Sequence, residues 1–225
     1  MKVDGKTFAI ASGLAMFIGL PLLLYATGDA PGRSALKESL SILTLLAFSL
    51  MLSQFFLARS NVTLISLFKP RQIQRFHKVI AYGAVAVILV HPFLIVLPRY
   101  FEAGIEPWDA FVTMMTTFES RGILLGMAAW VLLLSLSISA FFRVGISKHL
   151  PLKYRGWRYL HSVLAISMVV VAIWHAIDLG RHTDVAMSVF FIAVTVLGVA
   201  MLANLYWGAA SEKSPETSKS QGSQT

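Results

Sequence analysis

Four histidines lie within two long apolar stretches of this chain, and the separation between the two histidines is the same in both stretches. The stretch RFHKVIAYGAVAVILVHPFL carries His77 and His91, and the stretch WRYLHSVLAISMVVVAIWHAID carries His161 and His175. The two histidines of each stretch are 14 residues apart. In an α-helix, this separation falls about 40° short of four full turns and spans about 21 Å. Both histidines of a stretch are therefore predicted to project from one face of a helix.

Two such helices side by side would offer two stacked pairs of imidazoles. Imidazole is a ligand of iron, and two imidazoles bound axially suit haem. Ionisable side chains are costly inside a membrane and indicate function, although a single histidine could simply bond to a neighbouring helix. Two matched pairs favour coordination of two non-covalent b-type haems by His77, His91, His161 and His175.

Two other chemistries fit the histidines less well. Pairs separated by about 21 Å cannot converge on one tetrahedral zinc ion, and no acid or thiol joins them. A proton relay would require carboxylates within the apolar stretches, and Asp178 lies only near the end of one.

The composition indicates a membrane protein. Of 225 residues, 56% are hydrophobic and 13% charged, with a mean hydropathy of +0.71, and several stretches are apolar on all sides. The net charge of +8 comes from basic residues in short loops, which sets membrane orientation and does not indicate nucleic-acid binding. Cysteine is absent, which excludes thiolate-held iron–sulfur clusters and covalent haem attachment.

The apolar segments predict an all-α bundle of six transmembrane helices, forming one domain over residues 1–210. Residues 211–225 are predicted to be a disordered polar tail. A cleaved signal peptide is the alternative for the first span, and Pro21 is expected to kink it. The predicted spans are 8–27, 35–57, 76–97, 122–142, 160–179 and 185–207.

Loop charge predicts the orientation. The loops before the third and fifth spans are basic, whereas the loop over 99–121 is net acidic. Positive loops remain cytoplasmic, so both termini are predicted to be cytoplasmic, in the inner (cell) membrane of a bacterium. His77 and His161 would then lie near the cytoplasm, and His91 and His175 near the outer face. The two haems would stack between the third and fifth spans.

Cations beside the cytoplasmic pair are candidates for binding haem propionates, which need cationic partners. They could also serve orientation alone. His149 and His182 fall outside the matched pattern and are interpreted as ordinary surface residues. The four candidate cations are Arg75, Lys78, Arg155 and Arg158.

The pieces RFHKVIAYGAVAVILVHP and RGWRYLHSVLAISMVVVAIWHA resemble the ferric reductase-like transmembrane domain family, which includes the membrane halves of bacterial ferric reductases and NADPH oxidases. The resemblance covers the second to sixth spans. It implies six helices and two b-type haems that pass electrons from a cytoplasmic flavoprotein to an external acceptor. The acceptor could be ferric iron, oxygen or a periplasmic redox protein. The ligand role carries onto the four histidines.

The chain departs from the fused members of that family. It has no G-x-G-x-x-G or Walker sequence, so FAD or FMN is expected on a partner. It is also similar to the haem-binding membrane subunit of the bacterial methionine sulfoxide reductase system. The presence of His77 is evidence against membership of that subfamily. A membrane anchor that docks a partner is the alternative function. A transporter is the least favoured of the three functions, because the sequence shows no pair of interrupted transmembrane helices.

Overall fold

The computed structural model describes residues 4–58, 60–101, 104, 106–150 and 153–211, with side chains as far as residue 204. Six helices within this part are long and apolar enough to cross a membrane, and no strand occurs there. The predicted all-α architecture with six spans is therefore confirmed, and the chain is a multi-pass integral membrane protein. We number the spans in chain order: Gly5–Thr27, Ala35–Phe55, Pro70–Phe101, Arg121–Phe141, Tyr154–Leu179 and Val185–Asn204.

Two spans begin about six residues earlier than the apolar pattern predicts. The third starts at Pro70, which fits the first helical turn because it lacks an N–H group. The backbone N–H of Lys69 donates to Gln72 Oε1 at 3.1 Å and closes this end. The fifth span starts at Tyr154. Basic residues that the sequence placed in loops therefore extend the helices.

Three further short helices lie in segments predicted as loops. They are Val62–Leu67, Pro107–Thr116 and Arg143–His149. The sixth helix continues to Ser211, and the rest of the predicted polar tail, 212–225, lies outside the described residues.

The first span accommodates Pro21 through a local change of helix type. A π-helical turn, Ala15–Gly19, precedes the proline. Because proline has no N–H group, the carbonyl of Phe17 lacks its usual partner four residues on. The hydroxyl of Ser49, in the second span, donates to that carbonyl at 2.9 Å. The first span is thereby fixed to the second, with Phe17 buried between them.

The bundle has one apolar core to which the spans contribute unequally. The fifth span packs along the fourth, and the third packs along the second. Within the described residues, the backbones of the third and fifth spans do not approach each other over any extended stretch. Buried Ala84 and Met168, one from each, belong to the common core. The two spans that carry the histidines therefore share the core without packing backbone against backbone.

Glu38, at the start of the second span, joins three segments at one end of the bundle. Its carboxylate accepts hydrogen bonds from the Tyr25 hydroxyl and from the Arg33 backbone and side chain. His182 Nε2 lies 3.2 Å from Glu38 Oε2, and its ring stacks on Tyr25 with centroids 4.1 Å apart. Burial lowers the pKa of His182, and the Glu38 carboxylate opposes this. The interpretation of His182 as an ordinary surface residue is therefore wrong.

Replacing Glu38 with alanine is expected to destabilise the bundle by about 2 kcal/mol, since hydrogen bonds to charged groups contribute about 1.5–3 kcal/mol each and this carboxylate is partly hydrated. The measurement is the apparent melting temperature in detergent. Glu119, an exposed acid in a loop, supplies the matched control Glu119→Ala, which should leave it unchanged. Equal melting temperatures for both variants would show that the Glu38 contacts contribute nothing.

Candidate metal centre

The four histidines of the third and fifth spans lie near each other in two pairs. His77 and His161 are close enough to interact electrostatically, as are His91 and His175. All four side chains are partly buried. Both spans run in the same direction through the bundle, so the pairs form two levels about 21 Å apart along the helices. We call them the His77 level and the His91 level. The structure thus brings together the side chains that the spacing predicted to meet.

At the His91 level, each imidazole has a defined partner on a neighbouring span. His91 Nδ1 lies 3.3 Å from the Thr44 hydroxyl oxygen, on the second span. His175 Nδ1 lies 2.8 Å from the carbonyl oxygen of Gly122, at the start of the fourth span. These contacts engage Nδ1 of both rings and leave Nε2 as the nitrogen available to a metal.

Gly126 makes room for the second of these rings. A β-carbon at this position would lie 2.7 Å from Cε1 and 2.8 Å from Nδ1 of His175. Such distances are below van der Waals contact, so only glycine leaves the imidazole where it is. The fourth span therefore accommodates the His175 ring in two ways, which together we call the glycine cradle. Gly126 leaves space for the ring, and the carbonyl of Gly122 contacts its Nδ1.

At the His77 level, the polar partners are incomplete. The His77 ring lies near the backbone of Gln54 and Leu57, at the end of the second span. His161 Nδ1 and Gln54 Oε1 are both buried without a hydrogen-bond partner in the described part of the chain. Buried polar groups are nearly always satisfied, so these two atoms distinguish the His77 level from the His91 level, where each Nδ1 has a partner.

Two tryptophans fix the fourth span against the histidine-bearing helices. Trp157 Nε1, in the fifth span, donates to the carbonyl of Ser139 at 2.8 Å, and its ring lies 5.2 Å from that of His161. Trp130 Nε1, in the fourth span, donates to the carbonyl of Leu89 at 3.0 Å, two residues before His91. The fourth span is thus the scaffold that sets the positions of both levels.

The four cations predicted to bind propionates differ in burial and in their angular position relative to the histidines. Arg158 is partly buried, and it precedes His161 by three residues, which puts it about 60° away on the helix surface. Arg75 and Lys78 are exposed and point about 160° and 100° away from His77. Arg155 is exposed at the start of the fifth span. Geometry therefore favours Arg158 among them.

The residues present fit haem better than a clustered metal ion. Within the described residues, no three His, Cys, Asp or Glu side chains converge as a metal site. Paired imidazoles and a glycine cradle, on helices whose backbones stay apart, suit a flat group bound by two histidines. His77, His91, His161 and His175 would hold two such groups.

Sequence reasoning missed the residues that support the histidines. Thr44, Gly122, Gly126 and Trp157 touch the imidazoles or fix their helices, yet they lie on spans or faces without a recurring pattern. The one available signal was the pair of glycines four residues apart in the fourth span, since small residues allow membrane helices to approach closely.

Comparison with known proteins agrees with this arrangement. The family described as ferric reductase like transmembrane component matches residues 43–172, more than half of the chain. That segment contains His77, His91 and His161 and ends three residues before His175. An uncharacterised protein of Archaeoglobus fulgidus is 36% identical over 164 residues, which are 73% of this chain and 87% of that protein. No solved structure matches the chain.

The extent of this match, over most of the second to fifth spans, establishes a relationship and with it the general role of a transmembrane electron-transfer component. The chain belongs to the family of ferric reductase-like transmembrane components.

Proposed function

We propose that the chain is a b-type cytochrome subunit that carries electrons across the cell membrane. The donor is a cytoplasmic flavoprotein that holds FAD or FMN. The acceptor on the other side takes single electrons and is ferric iron, oxygen or a periplasmic redox protein. The observation that carries the proposal is the meeting of four imidazoles as two pairs at two depths of one bundle.

The residues of each level hold one non-covalent haem. Bound haem would supply reversible one-electron chemistry between ferric and ferrous iron. His77 and His161 would bind the haem iron at one level, and His91 and His175 would bind it at the other. The apolar core between the levels, with Ala84 and Met168, excludes water from the region between them.

The charges at the two ends support the direction of transfer. Basic residues surround the His77 level, and positive loops are retained in the cytoplasm. An exposed basic surface would also attract a flavoprotein with an acidic face. Among the four candidate cations, Arg158 would pair with a propionate of the His77-level haem, and Arg75, Lys78 and Arg155 would add positive charge at that end of the bundle.

The test is the haem content of the purified protein. We expect two haems per chain, measured as the pyridine derivative, and a dithionite-reduced spectrum typical of two axial imidazoles. A protein that is folded but binds no haem after expression with added haem precursor would overturn the proposal. One haem per chain would contradict the assignment of two levels.

A further inference from the structure

The hydrogen bonds of Thr44 define which nitrogen of His91 carries the proton. The Thr44 hydroxyl donates its only proton to the carbonyl of Leu40, at 2.9 Å. Toward His91 Nδ1, at 3.3 Å, the same oxygen can therefore only accept. His91 Nδ1 thus carries the hydrogen, and Nε2 has the free lone pair.

The second imidazole of this level, His175, has the same tautomer for an independent reason. The carbonyl of Gly122 is an acceptor without a proton, so His175 Nδ1 must donate to it across their 2.8 Å separation. Both rings at the His91 level therefore present Nε2 for coordination, and both have Nδ1–H anchored on another span.

The His77 level differs in this respect. The His77 ring lies near the backbone at the end of the second span, where no hydrogen bond of a ring nitrogen is defined among the described residues. His161 Nδ1 is buried and has no hydrogen-bond partner within the described residues. An acceptor on the outer nitrogen of a ligating histidine orients the ring and raises its basicity. A more basic ligand stabilises ferric over ferrous iron, so hydrogen bonding is one means of setting a haem potential.

We propose that Thr44 is a positioning residue that fixes the His91 imidazole and holds the reduction potential of the His91-level haem down. This inference rests on the proposed haem binding. Thr44 belongs to the second span, which carries no ligand, and reaches the metal centre through one hydrogen bond. Its hydroxyl and the Gly122 carbonyl act on the two axial ligands of the same level.

The experiment compares Thr44→Val, which keeps the shape and removes the hydroxyl, with Thr44→Ser, which keeps the hydroxyl. Spectroelectrochemical titration of the purified haem protein gives the two midpoint potentials. We expect Thr44→Val to raise one potential and leave the other in place, and Thr44→Ser to retain the native value. Thr195→Val is the matched control, because it removes a buried hydroxyl from the sixth span, where no hydrogen-bond partner is found in the described structure.

The possible outcomes separate this inference from the proposed function. Loss of one haem from Thr44→Val, with two retained in Thr44→Ser, would also support the positioning role. Two haems with unchanged potentials in Thr44→Val would overturn it and leave haem binding intact. Equal shifts in the valine and serine variants would overturn it as well, because the hydroxyl would not be the cause. A native protein without haem would overturn both.

Discussion

The variant His175→Ala is expected to retain one haem per chain and lose the other. Each level depends on two imidazoles, and an alanine leaves one axial position without a ligand. The His77 level lies about 21 Å away along the helices and shares no histidine with the His91 level, so it should remain occupied. Haem content and the reduced spectrum provide the measurement. Electron transfer through membrane vesicles should fall more than tenfold, in line with the loss of a metal ligand.

The reciprocal variant, His161→Ala, should empty the His77 level and leave the His91 level filled. His149→Ala is the matched control, since His149 is exposed at the end of a short helix and touches neither pair. It should retain two haems and the native rate. Two haems in His175→Ala would refute the ligand assignment. Loss of both haems from a variant that still folds would refute the independence of the levels.

Periodicity alone could predict the fold and the pairing of the histidines. A helix has fixed rise and rotation, so two histidines 14 residues apart in a span must share a face. Odd-numbered spans run in the same direction, which places His77 level with His161. Hydropathy did not predict where the third span begins, because Arg71 and Arg75 continue the helix beyond its apolar part.

The supporting residues could not be predicted, because they depend on how each span is rotated about its own axis. Thr44 faces His91, and Gly126 faces His175, only because of the packing between neighbouring helices. The burial of His182 could not be predicted from the sequence either. It follows polar residues in a short turn, and its burial comes from Tyr25 and Glu38, which are more than 140 residues earlier in the chain.

The variant Gly126→Ala is expected to displace the His175 imidazole and to weaken haem binding at the His91 level tenfold or more. The added β-carbon would lie 2.7 Å from Cε1 of the ring, so either the ring or the fourth span must move. A moved ring loses the 2.8 Å hydrogen bond to the Gly122 carbonyl. Overpacking of this kind costs about 1–3 kcal/mol. The rate of haem transfer to apomyoglobin measures the effect.

Two controls separate this clash from a general effect of alanine. Gly83→Ala, in the third span, has nothing within 4 Å of the new β-carbon and should keep both haems. Gly198→Ala, in the sixth span, places its β-carbon 2.6 Å from Cβ of Phe55, so it should lower the melting temperature without selective loss of one haem.

Intrinsic helix propensity predicts the opposite effect of an alanine at Gly126, so the experiment distinguishes the clash from propensity. Alanine is favoured over glycine inside a helix by about 0.8–1 kcal/mol. A substitution judged by propensity alone should therefore stabilise the fourth span. Weaker haem binding at one level can arise only if the imidazole occupies the space that glycine leaves open. A Gly126→Ala protein with two tightly bound haems and a higher melting temperature would show that His175 does not need this space.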